Sequence, residues 1–220
     1  MIRLAKAEHI VVPGPAGELE AILEVPERQI ETIAVVCHPH PLYHGTMKNK
    51  VVHTLARTFQ RMGAACLRFN FRGVGASSGS YDGGIGEVQD SLAAAKFMRG
   101  RFPQAKLWLA GFSFGGAVAL RAASLASADL LVTVAPALQK LEAVQATVPD
   151  CPWLFIHGDE DTTVSCRDNI DWVKKLDRPP EVYIARGVDH FFHGKLGLLR
   201  DVLNERLEKM GEVSSDKNTR

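Results

Sequence analysis

The chain has no excess of charge: 26 Lys plus Arg stand against 25 Asp plus Glu in 220 residues, with no long run of one sign. This argues against nucleic acid and against an anionic membrane as partners, and leaves a small molecule as the expected ligand. No apolar stretch approaches the roughly 20 residues that a bilayer span requires. Between Met1 and Ile10, the charged or polar Arg3, Lys6, Glu8 and His9 interrupt the apolar positions, so no secretory signal is expected there. Cysteine is scarce: Cys37, Cys66, Cys151 and Cys166 show no CxxC spacing, and the first two sit in strand-like apolar runs where a free thiol packs as a small hydrophobe. A reducing, cytoplasmic compartment fits this usage. Internal repeats and low-complexity segments are missing from the body of the chain.

What is present is a chain with 46% hydrophobic residues, enough for one sizeable core and too short for two typical domains. We read residues 1–210 as a single domain and the polar 211–220 as a disordered tail. Apolar runs alternate with helix-period segments, the pattern of a mostly parallel sheet covered by helices on both faces. The start differs. His9 to Val12 and Leu19 to Val25 flank the turn cluster Pro13-Gly14-Pro15-Ala16-Gly17 and predict an antiparallel hairpin at a sheet edge. Six further strands are predicted at Ile33 to Cys37, Ala64 to Phe71, Lys106 to Phe112, Leu130 to Val134, Trp153 to Ile156 and Val182 to Ala185. Helices are predicted at Val51 to Met62, Gly86 to Arg99, Phe114 to Leu125, Arg167 to Leu176 and Leu196 to Lys209, which gives an eight-stranded α/β architecture.

The pattern GxSxG occurs twice, at Gly75-Ala76-Ser77-Ser78-Gly79 and at Gly111-Phe112-Ser113-Phe114-Gly115. A nucleophile elbow needs a strand before the serine and a helix at once after it, with small neighbours because the turn is tight. Lys106 to Ala110 supplies such a strand, and the Ala- and Leu-rich residues after Ser113 supply the helix. Ser77 is followed by Gly79, Ser80, Tyr81, Asp82, Gly83 and Gly84, which cannot start a helix immediately, so its segment reads as a loop. A serine hydroxyl needs a base and a group to orient that base, expected later in the chain at the carboxyl ends of strands. Asp159, Glu160 and Asp161 follow one strand, and the spacing favours Asp161 because it stands furthest from the strand end. His190 follows the last strand and is favoured over His193.

At these residues the chain resembles the α/β-hydrolases, and more closely their small serine hydrolases without a lid. The resemblance spans roughly Ile33 to Leu199. It rests on His38 to Tyr43, Phe71 to Ser77, Gly111 to Gly116, Gly158 to Asp161 and Gly187 to Phe192. It implies an α/β-hydrolase fold with nucleophile Ser113, acid Asp161 and base His190. One departure is His44-Gly45 where a Gly-Gly pair is more usual. Caps are commonly inserted after the sixth strand, and the roughly fifteen residues between Pro136 and Pro152 leave no room for one.

The chemistry expected is acyl transfer to Ser113 and hydrolysis of the acyl-enzyme, with short-chain carboxylic esters as substrates in an open groove. One oxyanion donor is the N–H of Phe114. Pro39 and Pro41 have no N–H, so the second is expected from His40, with Leu42 or Tyr43 as alternatives. Leu42, Tyr43 and Phe191 are expected to bind substrate, with Phe112, Phe114 and Phe192 as further flanking rings or as core. Arg72 is expected to hold its loop through carbonyl contacts. The reading calls for no cofactor, no metal and no partner beyond the substrate, in a monomer. Two other readings are a metal-dependent hydrolase built on Cys37, His38, His40 and His44, and a non-catalytic binder that keeps the hydrolase scaffold.

Overall fold

The computed structural model describes residues 7–141 and 148–217. Eight strands form one sheet in the order β1-β2-β4-β3-β5-β6-β7-β8. They are β1 (Glu8–Gly14), β2 (Gly17–Glu24), β3 (Thr32–Cys37), β4 (Ala65–Phe69), β5 (Lys106–Phe112), β6 (Leu130–Val134), β7 (Trp153–Gly158) and β8 (Glu181–Ala185). β1 pairs antiparallel with β2, and β2 antiparallel with β4; every other pairing is parallel. The helices are α1 (Lys50–Arg61), α2 (Ile85–Arg101), α3 (Phe114–Leu125), α4 (Cys166–Val173) and α5 (Leu196–Lys217). The fold is the α/β-hydrolase architecture expected from the sequence. Among the described residues no helix is long and apolar enough to cross a membrane.

The period of two in each central strand sends its side chains to two separate cores. Ile33, Val35 and Cys37 of β3 face a cluster completed by Val88 and Met98 of α2 and by Val118 and Leu120 of α3. Ala34 and Val36 face the opposite cluster, built with Val51, Leu55 and Phe59 of α1 and Leu199, Val202 and Leu203 of α5. β3 sits between β4 and β5, so the chain leaves it for α1 and β4 on one side and returns to β5 on the other. The carboxyl ends of β3 and β5 therefore mark the point where the strand order reverses, the place where open α/β sheets bind ligands.

Helix starts follow local capping chemistry. The Asn49 side chain accepts from the N–H of Val51 at 2.9 Å and caps α1. The Glu87 carboxylate reaches back 2.7 Å to the N–H of Gly84 and caps α2. Ser165 accepts from Asp168 N–H and caps α4. At the other end, α5 continues to Lys217, well past Lys209 and into the tail expected to be disordered. No proline stops it, and Gly211 costs only about 1 kcal/mol in a helix that is already nucleated. The last three residues of that tail lie outside the described residues.

Candidate active site

β5 enters the site through Gly111 and Phe112 and gives way to α3 at Phe114, with Ser113 as the single residue between them. Ser113 adopts φ 56°, ψ −121°, a left-handed backbone that costs of order 1–3 kcal/mol in a non-glycine residue. The neighbouring chain holds it there. Its N–H donates to Val134 O at 2.9 Å, and its carbonyl accepts from Ala137 N–H at 3.0 Å, so the segment after β6 grips both sides of the turn. A Cβ on Gly111 would run into the carbonyl of Gly115, and one on Gly115 into the carbonyls of Cys37 and His38. Both glycines of the second GxSxG are thus fixed by space.

Ser113, His190 and Asp161 are brought together from three loops. Ser113 Oγ lies 3.0 Å from His190 Nε2, and His190 Nδ1 lies 2.6 Å from Asp161 Oδ2. All three side chains are nearly enclosed. Asp161 Oδ1 accepts from the N–H groups of Thr163 and Val164, each at 2.8 Å. Burial alone would raise the Asp161 carboxyl, but hydrogen bonds from His157, His190 and Val164 outweigh it and hold the group below the ordinary carboxylate range. The other acids of that loop have other duties. Asp159 Oδ1 accepts from Gly187 N–H at 2.7 Å, tying the loops after β7 and β8 together. His193 is exposed and pairs with Asp189 at 2.6 Å.

The loop after β3 forms the opposite wall. A short 3-10 turn, Pro41–Tyr43, begins at His40, whose Nδ1 accepts from Leu42 N–H at 3.2 Å. Tyr43 N–H donates to His40 O at 3.1 Å. Leu42 and Tyr43 thus spend their N–H groups inside the turn. The His40 ring packs 4.8 Å from Phe114 and 5.0 Å from Tyr81, and Tyr81 Oη lies 3.3 Å from His40 Nε2. His44, at the position where glycine is more usual, takes a left-handed φ of 59°. Of the three expected to meet substrate, Leu42 is 65% exposed, Tyr43 72% and Phe191 45%. Phe112, Phe114 and Phe192 do not join them. All three are buried in the two cores, although the Phe112 ring packs, tilted, 4.9 Å from the His190 ring.

Two further expectations are corrected or set aside by contacts. Arg72 holds its loop through a carboxylate: Nε and Nη2 form a fork on buried Asp90, at 3.0 and 2.8 Å, and its backbone N–H joins the same carboxylate at 3.0 Å. Cys37, His38, His40 and His44 do not assemble as metal ligands. Cys37 Sγ lies 3.3 Å from Ser91 Oγ, and His38 spans Pro39 O at 2.6 Å and Phe71 N–H at 3.0 Å. Among the described residues no group of three or more such side chains is arranged to hold a metal. Sequence reasoning missed His157, whose ring contacts Asp161, and Tyr81 on the wall. Neither lies in a motif, and only strand-end placement hinted at His157.

Comparison with known proteins agrees with the fold. A model of the family described as serine aminopeptidase, S33, matches residues 41–149. An uncharacterised protein of Rickettsia prowazekii, RP471, is 33% identical over 204 residues, 88% of this chain and 86% of its own. Among solved structures, XC6422 from Xanthomonas campestris, a serine hydrolase without a lid, has 37% identity and a TM-score of 0.87, covering 93% of this chain and 95% of its own. An alpha-beta serine hydrolase homologue from Coxiella burnetii has 38% identity and a TM-score of 0.86, covering 91% and 97%. The chain belongs to the α/β-hydrolase superfamily, among its lidless serine hydrolases.

Proposed function

We propose that this serine hydrolase cleaves carboxylic esters with short acyl groups, using Ser113 as nucleophile, His190 as base and Asp161 as the acid that orients the base. The observation that carries the reading is the continuous path of 3.0 Å from Ser113 to His190 and 2.6 Å from His190 to Asp161. An ionised carboxylate only accepts, so Asp161 accepts a hydrogen bond from the Nδ1–H of His190, which keeps its proton there and leaves the Nε2 lone pair facing Ser113 Oγ. As Oγ attacks the ester carbonyl, that lone pair receives the hydroxyl proton. His190 then delivers it to the leaving alcohol, and water repeats the path to release the acid.

The developing oxyanion needs donors that are already in place. Phe114 N–H is in the first turn of α3, where the helix offers no internal acceptor. His40 N–H is the second donor. Its ring packs on Phe114, and the alternatives Leu42 and Tyr43 donate back to His40. The exposed Leu42, Tyr43 and Phe191 offer apolar contact to a small acyl or alcohol group and enclose nothing longer. The test is a series of p-nitrophenyl esters from acetyl to dodecanoyl. The highest kcat/KM is expected at acetyl or butyryl. A maximum at long chains, or no ester turnover by the folded protein, overturns the reading.

A further inference from the structure

His157, at the end of β7, is fully buried, and none of the steps above uses it. Its Nε2 lies 3.1 Å from Asp161 Oδ2 and 3.2 Å from Val164 O. A carbonyl has no hydrogen to give, so Nε2 carries the proton and shares it between the two oxygens. The other ring nitrogen, Nδ1, lies 3.3 Å from Asn169 Nδ2 on α4. That amide nitrogen also donates to Pro136 O at 2.7 Å, and Asn169 Oδ1 accepts from Gln139 Nε2 at 3.1 Å. Pro136 O can only accept, which fixes the amide end and turns its second hydrogen to His157. The imidazole tautomer is thereby set from both sides.

The anchor of this chain of bonds is the segment that also holds the nucleophile. Val134 and Ala137 bond the N–H and carbonyl of Ser113, while Pro136 between them bonds Asn169 and, through it, His157. We propose that His157, supported by Asn169, is a positioning residue that fixes the rotation of the Asp161 carboxylate in register with Ser113. This rests on the triad reading above. Without His157, Oδ1 keeps its two backbone donors, but Oδ2 is left with His190 alone, the group whose position it has to set. Small displacements of reacting groups cost up to about 100-fold in rate.

The test is steady-state ester hydrolysis by the full chain carrying His157→Leu, His157→Gln or Asn169→Leu, with Ser113→Ala as control and melting temperatures recorded for each. His157→Leu is expected to lower kcat by about 10- to 100-fold with KM within about twofold. His157→Gln, whose amide places a donor near the former Nε2, is expected to recover to within about threefold of wild type, and Asn169→Leu to fall between the two. A folded His157→Leu protein with wild-type kcat, or a Gln variant as slow as the Leu variant, overturns the proposal. If Ser113→Ala also retained wild-type rate, the triad reading itself would fail. Should the Leu variants not fold, nitrogen-15 spectra of histidine-labelled wild type decide: a proton on Nε2 of His157 supports the proposal, and a proton on Nδ1 overturns it.

Discussion

The two segments Gly75–Gly79 and Gly111–Gly115 share one five-residue pattern and have opposite structural uses. Burial does not separate them, since Ser77 and Ser113 are each 8% exposed. Hydrogen bonding does. Ser77 Oγ donates to Asn70 O at 2.7 Å and accepts from Glu20 N–H at 2.9 Å, so it splices the loop to β2 and is committed. Ser113 Oγ faces the imidazole of His190. The glycines differ as well. Gly75 and Gly79 take left-handed φ values of 59° and 81° and also have side chains close by, whereas Gly111 and Gly115 are not left-handed and are required because backbone carbonyls crowd them. A motif is therefore defined by what surrounds it: the same residue types provide left-handed turns in one place and close backbone packing in the other.

The sharpest way to break this contrast is to delete each hydroxyl. Ser113→Ala is expected to lose ester turnover by about 10⁴-fold or more, while Ser77→Ala keeps kcat/KM within about threefold, as initial rates will report. Equal losses would erase the distinction. Next in size are the glycines: Gly115→Ala is expected to cost about 3 kcal/mol or more, against about 1–2 kcal/mol for Gly79→Ala, measured by chemical denaturation.

His38 joins the two regions, because its Nε2 accepts from Phe71 N–H at the head of the Ser77 loop and its backbone carbonyl abuts Gly115. Burial holds its pKa down to about 4, from 6.5. The unfolded chain therefore binds a proton in a range where the folded protein does not, and stability falls as pH drops from about 6.5 towards 4. At ~1.4 kcal/mol per unit the loss reaches about 3 kcal/mol, and His38→Gln is expected to flatten the slope in urea titrations. Asp161 has the usual carboxylate sign: its contribution is present above its unfolded value and fades only at more acidic pH. The smallest effect is structural. Ser77→Ala leaves Asn70 O and Glu20 N–H without their hydroxyl partner and is expected to cost about 1–2 kcal/mol in thermal unfolding.

The strands were readable because β3 and β6 are short, apolar and rich in β-branched residues and β5 in Leu and aromatic ones, and the elbow because β5 and α3 flank Ser113 without a gap. Order along the chain did the rest for Asp161 and His190. What stayed hidden depends on contacts that sequence spacing does not encode. Arg72 met a carboxylate on α2 rather than carbonyls, Phe192 turned inward with φ 55°, and His157 lies against Asn169 of α4, whose amide bonds the Pro136 carbonyl after β6. The 3-10 turn at Pro41–Tyr43 was equally invisible, although it decides which N–H groups of that loop are already in use. Helix α5 outran its expected end because polar composition alone does not terminate a helix.

Covalent labelling with a fluorophosphonate, followed by mass-spectrometric mapping of the modified peptide, tests the central claim most directly. A single adduct on Ser113, absent from Ser77 and abolished by His190→Ala, is the predicted result. An adduct on Ser77, or a folded and ester-cleaving protein that leaves Ser113 unmodified, would contradict it.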